Sequence, residues 1–348
     1  MPGMTRQVIV GGMAIGGGAP VTVQSMTNTD TRDLAATRAQ IQRLADAGCE
    51  IVRVSVYDDA CADNVRALVD SSPVPLVADI HFDYRLAVRS IENGIAKVRI
   101  NPGNIGGEKN VRILADCLKA HHIPVRVGVN GGSLEKDILA RYGGVTPEGM
   151  VESALGHVRM LEKCGFYDTV ISMKAPDVRR TIESYRLAAK TCDYPLHVGV
   201  THSGTPGMGT VKSAIGIGAL LADGIGDTIR VSLTGDPAME VEAGLDILRA
   251  VGLRGGVEVI ACPTCGRTCI EVEEIAKRVE AATRHMKADM KVAVMGCVVN
   301  GPGEAKEADV GIAGGKNGGA LFVKGEEPRV VRGDLFEALM GEIRKRAR

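Results

Sequence analysis

VTVQSMTNTDTRDLAATRAQIQRLADAGCEIVRVSV, residues 21–56, contains the unit from which most of the chain is built. A Val-rich run, VTVQSM (21–26), precedes LAATRAQIQRLADAG (34–48), whose apolar residues recur every three or four positions before a closing Gly. A second β-branched run, IVRVSV (51–56), follows. The outer runs read as strands and the middle one as a helix. Strand, helix and strand in succession form a βαβ unit, with parallel strands and a right-handed crossover.

The alternation continues through PLVADIHF (75–82), KVRINP (97–102), PVRVGVN (124–130), TVISMK (169–174), PLHVGVT (195–201) and TIRVSL (228–233), which bring the strands to eight. Helical patterns fall at ACADNVRALVDS (60–71), NVRILADCLKAH (110–121), EGMVESALGHVRMLEKCG (148–165) and AMEVEAGLDILRAVG (238–252). Eight such units in about 250 residues is the size of a (β/α)8 TIM barrel. An open doubly wound sheet ranks lower, because no GxGxxG turn follows the first strand. RQVIVGGMAIGG, ahead of the barrel strands, reads as a hairpin placed to plug the floor. The charged, Gly-containing LRGGVEV (253–259) marks a boundary. Residues 1–254 are expected to form the barrel and residues 255–348 a small α+β domain.

Composition excludes several functions. The 348 residues carry 42 basic and 42 acidic side chains, so no global charge draws nucleic acid or an anionic membrane surface. With no Trp and only 4 Phe and 6 Tyr, platforms for stacking bases are scarce. The N-terminus lacks the apolar core of a signal peptide, and no stretch has the apolar length of a membrane span. Nine cysteines, an odd count in a long chain, fit a reducing compartment. The expectation is a cytoplasmic protein without nucleic-acid or membrane partners.

Chemistry in a TIM barrel sits at the C-terminal ends of its strands. Those positions hold Arg53, Asp79 with His81, Arg99 with Asn101, Arg126 with Asn130, Lys174, His202 and Arg230. Any one cation could be a solvated loop residue. Cations or histidines from seven of eight strands instead indicate an anionic ligand, and the planar forks of Arg suit phosphate or diphosphate oxygens. The Gly-rich segments HSGTPGMGTVKSAIGIG (202–218) and GIAGGKNGG (311–319) lack Walker spacing and read as tight loops, the first able to offer Lys212 to a phosphate.

IACPTCGRTCIEV (260–272) places Cys262, Cys265 and Cys269 close together, and Cys297 follows in MGCVVNGPGEA (295–305). Zinc would require a fourth Cys or a His, and His285, the one histidine nearby, falls within a helical pattern. A thioredoxin-type pair leaves Cys297 unexplained. Tight Pro- and Gly-shaped loops around sulfur suit an iron–sulfur cluster, with Glu304 or Cys269 open as the ligand beyond three thiolates.

VQSMT, DIHFDYRLA, KVRINPGNIG, VGVNGGSLEKD, ESYRLAAK, KSAIGIG, GIGDTIRVSL, ACPTCGR and GCVVNGPGEA together resemble the bacterial family of 4-hydroxy-3-methylbut-2-en-1-yl diphosphate synthases, nearly end to end. The resemblance implies a TIM barrel joined to a cluster domain, and a [4Fe-4S] cluster on Cys262, Cys265, Cys297 and Glu304. It implies two-electron reductive ring opening and dehydroxylation of 2-C-methyl-D-erythritol 2,4-cyclodiphosphate. Flavodoxin or ferredoxin would supply the electrons, and two copies would pair as a head-to-tail homodimer. Substrate would be held by Arg53, Asp79, Arg99, Asn101, Arg126, Asn130, Lys174, Arg230 and Ser232. The family often carries Thr-Glu-Ala-Gly where this chain has Thr201-His202-Ser203-Gly204, so His202 is expected to act as a proton donor or diphosphate contact, alongside Glu304 in the catalytic set.

Overall fold

The structure, a computed structural model, describes residues 3–286, 288–297, 303 and 308–347. It divides into two compact units, Met1–Val251 and Gly252–Arg348.

In the first unit, β1 (Gln7–Val10) and β2 (Met13–Gly16) make an antiparallel hairpin. Eight parallel strands follow: β3 (Thr22–Met26), β4 (Ile51–Ser55), β5 (Leu76–Asp79), β6 (Lys97–Ile100), β7 (Val125–Asn130), β8 (Thr169–Lys174), β9 (His197–Val198) and β10 (Thr228–Ile229). They hydrogen-bond in the order β8-β7-β6-β5-β4-β3-β10-β9. A parallel bridge from Ile171 to Leu196 brings the two edges of that order together, giving the (β/α)8 barrel.

The connections are filled by α1 (Leu34–Asp46), α2 (Asp59–Ser71), α3 (Tyr84–Glu92), α4 (Glu108–His121), α5 (Lys136–Tyr142), α6 (Pro147–Glu162), α7 (Val178–Thr191), α8 (Pro206–Ala222) and α9 (Pro237–Ala250). Aspartate starts many of them. The side chains of Asp33, Asp58, Asp83, Asp177 and Asp236 each accept a backbone N–H from the first turn of α1, α2, α3, α7 and α9 respectively. Val52, Val54, Ala78, Val98, Val127, Ile171 and Val198 pack outward against helix residues such as Leu44, Leu68, Leu114, Leu161 and Leu220 in one apolar core. Because side chains alternate along a strand, the residues between them face the barrel axis. At the floor, Val10 and Ile15 of the hairpin pack on Ile51 and Val77, forming the plug expected from sequence.

The glycine-rich stretch 202–218 is not a tight loop, since α8 begins at Pro206. Its glycines are demanded by packing. A Cβ on Gly216 would lie 2.6 Å from Val200 Cγ2, and one on Gly209 would lie 2.7 Å from Leu233 Cδ2 and 2.9 Å from the Gly204 carbonyl oxygen. Close approach of helix to strand outweighs the modest propensity cost of Gly.

The second unit is a sheet of β11 (Val257–Ala261), β12 (Met290–Met295), β13 (Val310–Gly315), β14 (Gly318–Val323) and β15 (Arg329–Val331), in that order. The first three strands are parallel and the last two add antiparallel. Stretch 311–319 is therefore mostly strand, with Gly314 opposite Gly319 and Gly315 opposite Gly318, and only Lys316 and Asn317 between the two strands. Helices α10 (Val272–Thr283) and α11 (Leu335–Arg346) bury Val279 and Leu339 with the sheet residues Val294 and Ile312. No helix among the described residues is long and apolar enough to cross a membrane.

Tyr185 of α7 strengthens the barrel where β9 is only two residues long. Its buried hydroxyl donates to the His197 carbonyl at 2.5 Å and accepts the Met173 N–H at 3.0 Å. Tyr185→Phe leaves that N–H without a partner, a cost of about 1–3 kcal/mol. Thermal denaturation should show a melting point lower by several degrees. An unchanged melting point would mean that this closure does not depend on the hydroxyl.

Candidate functional site

Lys97 and Arg99 are two residues apart on β6, so the pleat directs both to the barrel axis. The same alternation brings in Gln24 and Met26 from β3, Arg53 from β4, Asp79 from β5, Arg126 from β7, Lys174 from β8 and His197 from β9. The cations expected at the C-terminal strand ends lie inside the barrel. Relative exposure is 9% for Arg53, 7% for Arg99, 2% for Arg126 and 8% for Lys174, too little for ordinary loop residues. Arg126 is the second residue of β7 rather than its last, yet the strand register sets it opposite Arg99.

Two carboxylates organise these cations. Asp79 accepts from Arg99 Nη1 at 3.1 Å, with Arg53 Nε at 3.9 Å and His81 Nε2 at 3.4 Å from its other oxygen. Burial pushes the Asp79 carboxyl up, but Arg53, the His81 hydrogen bond and Arg99 outweigh it and hold the group well below the usual carboxylate range. Glu240 of α9 takes Arg230 in a fork, at 3.2 Å from Nε and 3.2–3.3 Å from Nη2. It also accepts Leu233 N–H at 3.0 Å and Ser25 Oγ–H at 3.1 Å. Gly128 makes room for Arg99, because a Cβ there would lie 2.7 Å from Arg99 Nε. Gly199 does the same for Lys174, whose Nζ would be 2.8 Å from an added Cβ.

Much of the donor capacity remains unmet within the protein. Arg126 Nε and Nη1, Arg99 Nε, Gln24 Nε2 and both ring nitrogens of His197 are buried without a hydrogen-bond partner among the described residues. Buried donors of this kind cost free energy unless a ligand or water takes them up. Burial pulls Arg53 down to about 10, and burial with neighbouring cations pulls Arg126, Lys174, Lys97 and His197 below their usual values. The barrel interior thus concentrates buried cations whose donors are only partly engaged.

Lys97, His197, Gln24 and Glu240 were not among the residues expected from sequence. Lys97 could have been found by counting two residues back along β6 from Arg99, whereas β3 offered no candidate from which to reach Gln24 and His202 is out of step with His197. Glu240 carries no such signal, because acids on amphipathic helices normally face water. Asn101 is buried and its side chain accepts the Gly103 N–H at 3.1 Å, whereas Asn130, the last residue of β7, and Ser232, in the segment that follows β10, are half-buried. His202 follows β9 on the exposed side, with φ at 51°, a left-handed conformation uncommon outside Gly. Its ring Nδ1 lies 3.3 Å from Thr201 Oγ1, and no hydrogen bond joins it to the buried cations.

In the second unit the cysteines gather at one edge. β11 and β12 run parallel, so Cys262 follows one strand end and Cys297 the neighbouring one. Cys262 N–H donates to the Val294 carbonyl at 3.2 Å, and Gly296 N–H donates to Cys262 Sγ at 3.1 Å. Cys265 is exposed in the intervening turn, and the Arg267 backbone N–H holds its thiol below the usual value. Cys269 N–H is held by the Gly296 carbonyl at 2.8 Å, and its thiol turns to the Arg267 carbonyl at 3.3 Å. Glu304 lies outside the described residues. Among the described residues no three His, Cys, Asp or Glu side chains converge closely enough to hold a metal ion. The donor set nevertheless suits iron–sulfur chemistry: three soft thiols, two just past adjacent strand ends and one in the turn between them, one receiving a backbone N–H and one biased toward thiolate.

Residues 5–245 match the family described as GcpE TIM-barrel domain, and residues 258–345 match GcpE protein C-terminal domain. A 4-hydroxy-3-methylbut-2-en-1-yl diphosphate synthase (flavodoxin) from Caldanaerobacter subterraneus subsp. tengcongensis is 59% identical over 344 residues, covering 98% of this chain and 97% of its own. The similarly named protein of Geobacter sulfurreducens is 54% identical over 347 residues, covering 99% and 98%. Among solved structures, an N-acetylneuraminic acid synthetase from Leptospira borgpetersenii aligns with a TM-score of 0.51 at 13% identity, over 81% of this chain and 99% of its own. A 3-dehydroquinate dehydratase from Geobacillus kaustophilus aligns with a TM-score of 0.50 at 15% identity, over 72% and 99%. At such identities the likeness concerns the fold alone.

Asp79→Asn removes the carboxylate among Arg53, Arg99 and His81, and should destabilise the barrel by roughly 3–5 kcal/mol near neutral pH. Because the folded-state value is depressed, this contribution is present above the unfolded carboxylate value of about 4 and declines below it. Chemical denaturation of both proteins across pH should show the gap narrowing as pH falls beneath about 4. A gap independent of pH would assign the loss to packing.

Proposed function

The chain belongs to the GcpE family, and from that membership we infer that it opens and dehydroxylates 2-C-methyl-D-erythritol 2,4-cyclodiphosphate reductively, yielding 4-hydroxy-3-methylbut-2-enyl diphosphate. It is an oxidoreductase of the methylerythritol phosphate route to isoprenoid precursors. One observation carries the assignment of the substrate to the barrel: buried guanidinium and ammonium groups that outnumber their carboxylates and leave donors unpaired.

In this reading Arg53, Arg99, Arg126, Lys174 and Arg230 bind the diphosphate oxygens. Asp79 and Glu240 hold guanidinium planes in place beforehand, so that little side-chain ordering remains to be done on binding. Asn101, Asn130 and Ser232, at or just beyond strand ends, orient the carbon skeleton by hydrogen bonds. His202, exposed and fixed in a left-handed backbone, gives a proton to the hydroxyl that departs as water.

The family is iron–sulfur dependent, and we propose that Cys262, Cys265, Cys297 and Glu304 would hold a [4Fe-4S] cluster, with Cys269 outside the set. When bound, such a cluster supplies electrons one at a time and a Lewis-acidic iron. The relatives' names support flavodoxin as electron donor, with ferredoxin as the alternative. A head-to-tail homodimer, with the isologous contacts of a two-fold axis, forms part of the same proposal.

Anaerobic purification followed by metal and sulfide analysis tests the cluster, with turnover of the cyclic diphosphate by reduced flavodoxin as the functional readout. The expected protein is coloured and contains iron and acid-labile sulfide in equal amounts, and Cys297→Ser lowers both. A colourless protein with stoichiometric zinc would overturn the cluster assignment. For His202, substitution by Glu should alter the pH profile of turnover, whereas identical profiles would remove the imidazole from the mechanism.

A further inference from the structure

Lys97 is fully buried, two residues below Arg99 on β6, and among the described residues its Nζ has a single hydrogen bond, to Gln24 Oε1 at 3.4 Å. A neutral amide oxygen is a weak partner for a buried ammonium. The charged groups around it are given by the strands. Arg53 and Arg126 are the charged groups that bear on Lys97, while Lys174, His197, Arg99 and Arg230 share the barrel interior. Asp79 of β5 is engaged by Arg53, Arg99 and His81, and Glu240 of α9 by Arg230, Ser25 and Leu233 N–H. The floor beneath contributes apolar Val10 and Ile15. Tyr185, from the helix layer, directs its hydroxyl at the His197 carbonyl.

Excess positive charge in a buried space is relieved by losing protons from the groups that release them most easily. Guanidinium has the highest proton affinity and keeps its charge. Of the two buried lysines, Lys174 has Glu240 bearing on it, while no carboxylate among the described residues pairs with or bears on Lys97. His197 shares this setting: neither ring nitrogen has a partner among the described residues, and burial with neighbouring cations pulls the imidazole below its usual value.

We propose that Lys97 is a proton-accepting residue of the diphosphate site: it is neutral when no anion is bound and becomes an ammonium when the dianion enters the barrel. This rests on the barrel being the diphosphate site. The phosphate oxygens of the cyclic diphosphate are all strongly acidic and its hydroxyls do not ionise near neutral pH, so a proton taken up on binding goes to the protein. Coulombic attraction from the dianion repays the desolvation of the ammonium, and Lys97 thereby joins the substrate-binding cations. The mechanism also gives binding a pH dependence of definite sign. Affinity falls as pH rises between the Lys97 values of the free and occupied barrel, because the proton becomes harder to obtain.

Calorimetric titration near pH 7.5 in PIPES and in Tris, whose ionisation enthalpies differ, counts the protons taken up. Two probes are used: the cyclic diphosphate and sulfate, a dianion that does not titrate in this range. Wild-type protein should take up roughly one proton per cyclic diphosphate, and Lys97→Met should lose that uptake while still binding more weakly. Lys97→Gln serves the same purpose if the Met variant does not fold. Binding by the wild type without uptake, or undiminished uptake in the variant, would overturn the role of Lys97. Proton-linked binding of sulfate without binding of the cyclic diphosphate would keep the role of Lys97 and discard the proposed substrate. Failure of both probes to bind would discard both.

Discussion

The barrel depends on a charge imbalance it does not settle internally. Arg53, Arg99, Arg126, Arg230, Lys97 and Lys174 share its interior with Asp79, and Glu240 reaches Arg230 from the helix layer. Removing that much charge from water is unfavourable unless partners compensate for it. The two acids serve only part of the set, and the anionic substrate proposed for the barrel would compensate the remainder. That requirement explains the glycines at 128 and 199, where a single Cβ would displace Arg99 or Lys174, and the carboxylates that hold guanidinium planes before any ligand arrives.

The second unit solves a different problem with similar economy. Parallel pairing of β11 and β12 ends two strands side by side, so cysteines distant in sequence come to one edge. The backbone around them is close-packed. A Cβ on Gly296 would lie 3.0 Å from Thr268, and one on Gly314 would lie 2.7 Å from the Gly296 carbonyl.

The sequence resolves the fold better than the site. Strand and helix periodicities lead to eight βα units, and the hairpin plug follows from two short apolar runs. The Gly-rich start of α8 misleads, because intrinsic propensity gives way to the need for close contact at Gly209 and Gly216. At the site, listing strand ends finds Arg53, Asp79, Arg99 and Lys174 but treats them as a rim. Their burial, and the deeper tier of Lys97 and His197, emerge only when alternation is followed down each strand. Glu240 is invisible in sequence, since nothing in a helical pattern distinguishes an acid that meets a buried arginine from one that meets water.

If the barrel's cations bind the substrate, affinity belongs to the barrel and does not require iron. Titrating 2-C-methyl-D-erythritol 2,4-cyclodiphosphate into protein stripped of iron measures this directly. Affinity should stay within about tenfold, or 1.4 kcal/mol, of that of the iron-loaded protein. Binding that appears only with iron present would contradict the account and move the principal anchor of the substrate away from the arginines and lysines of the barrel.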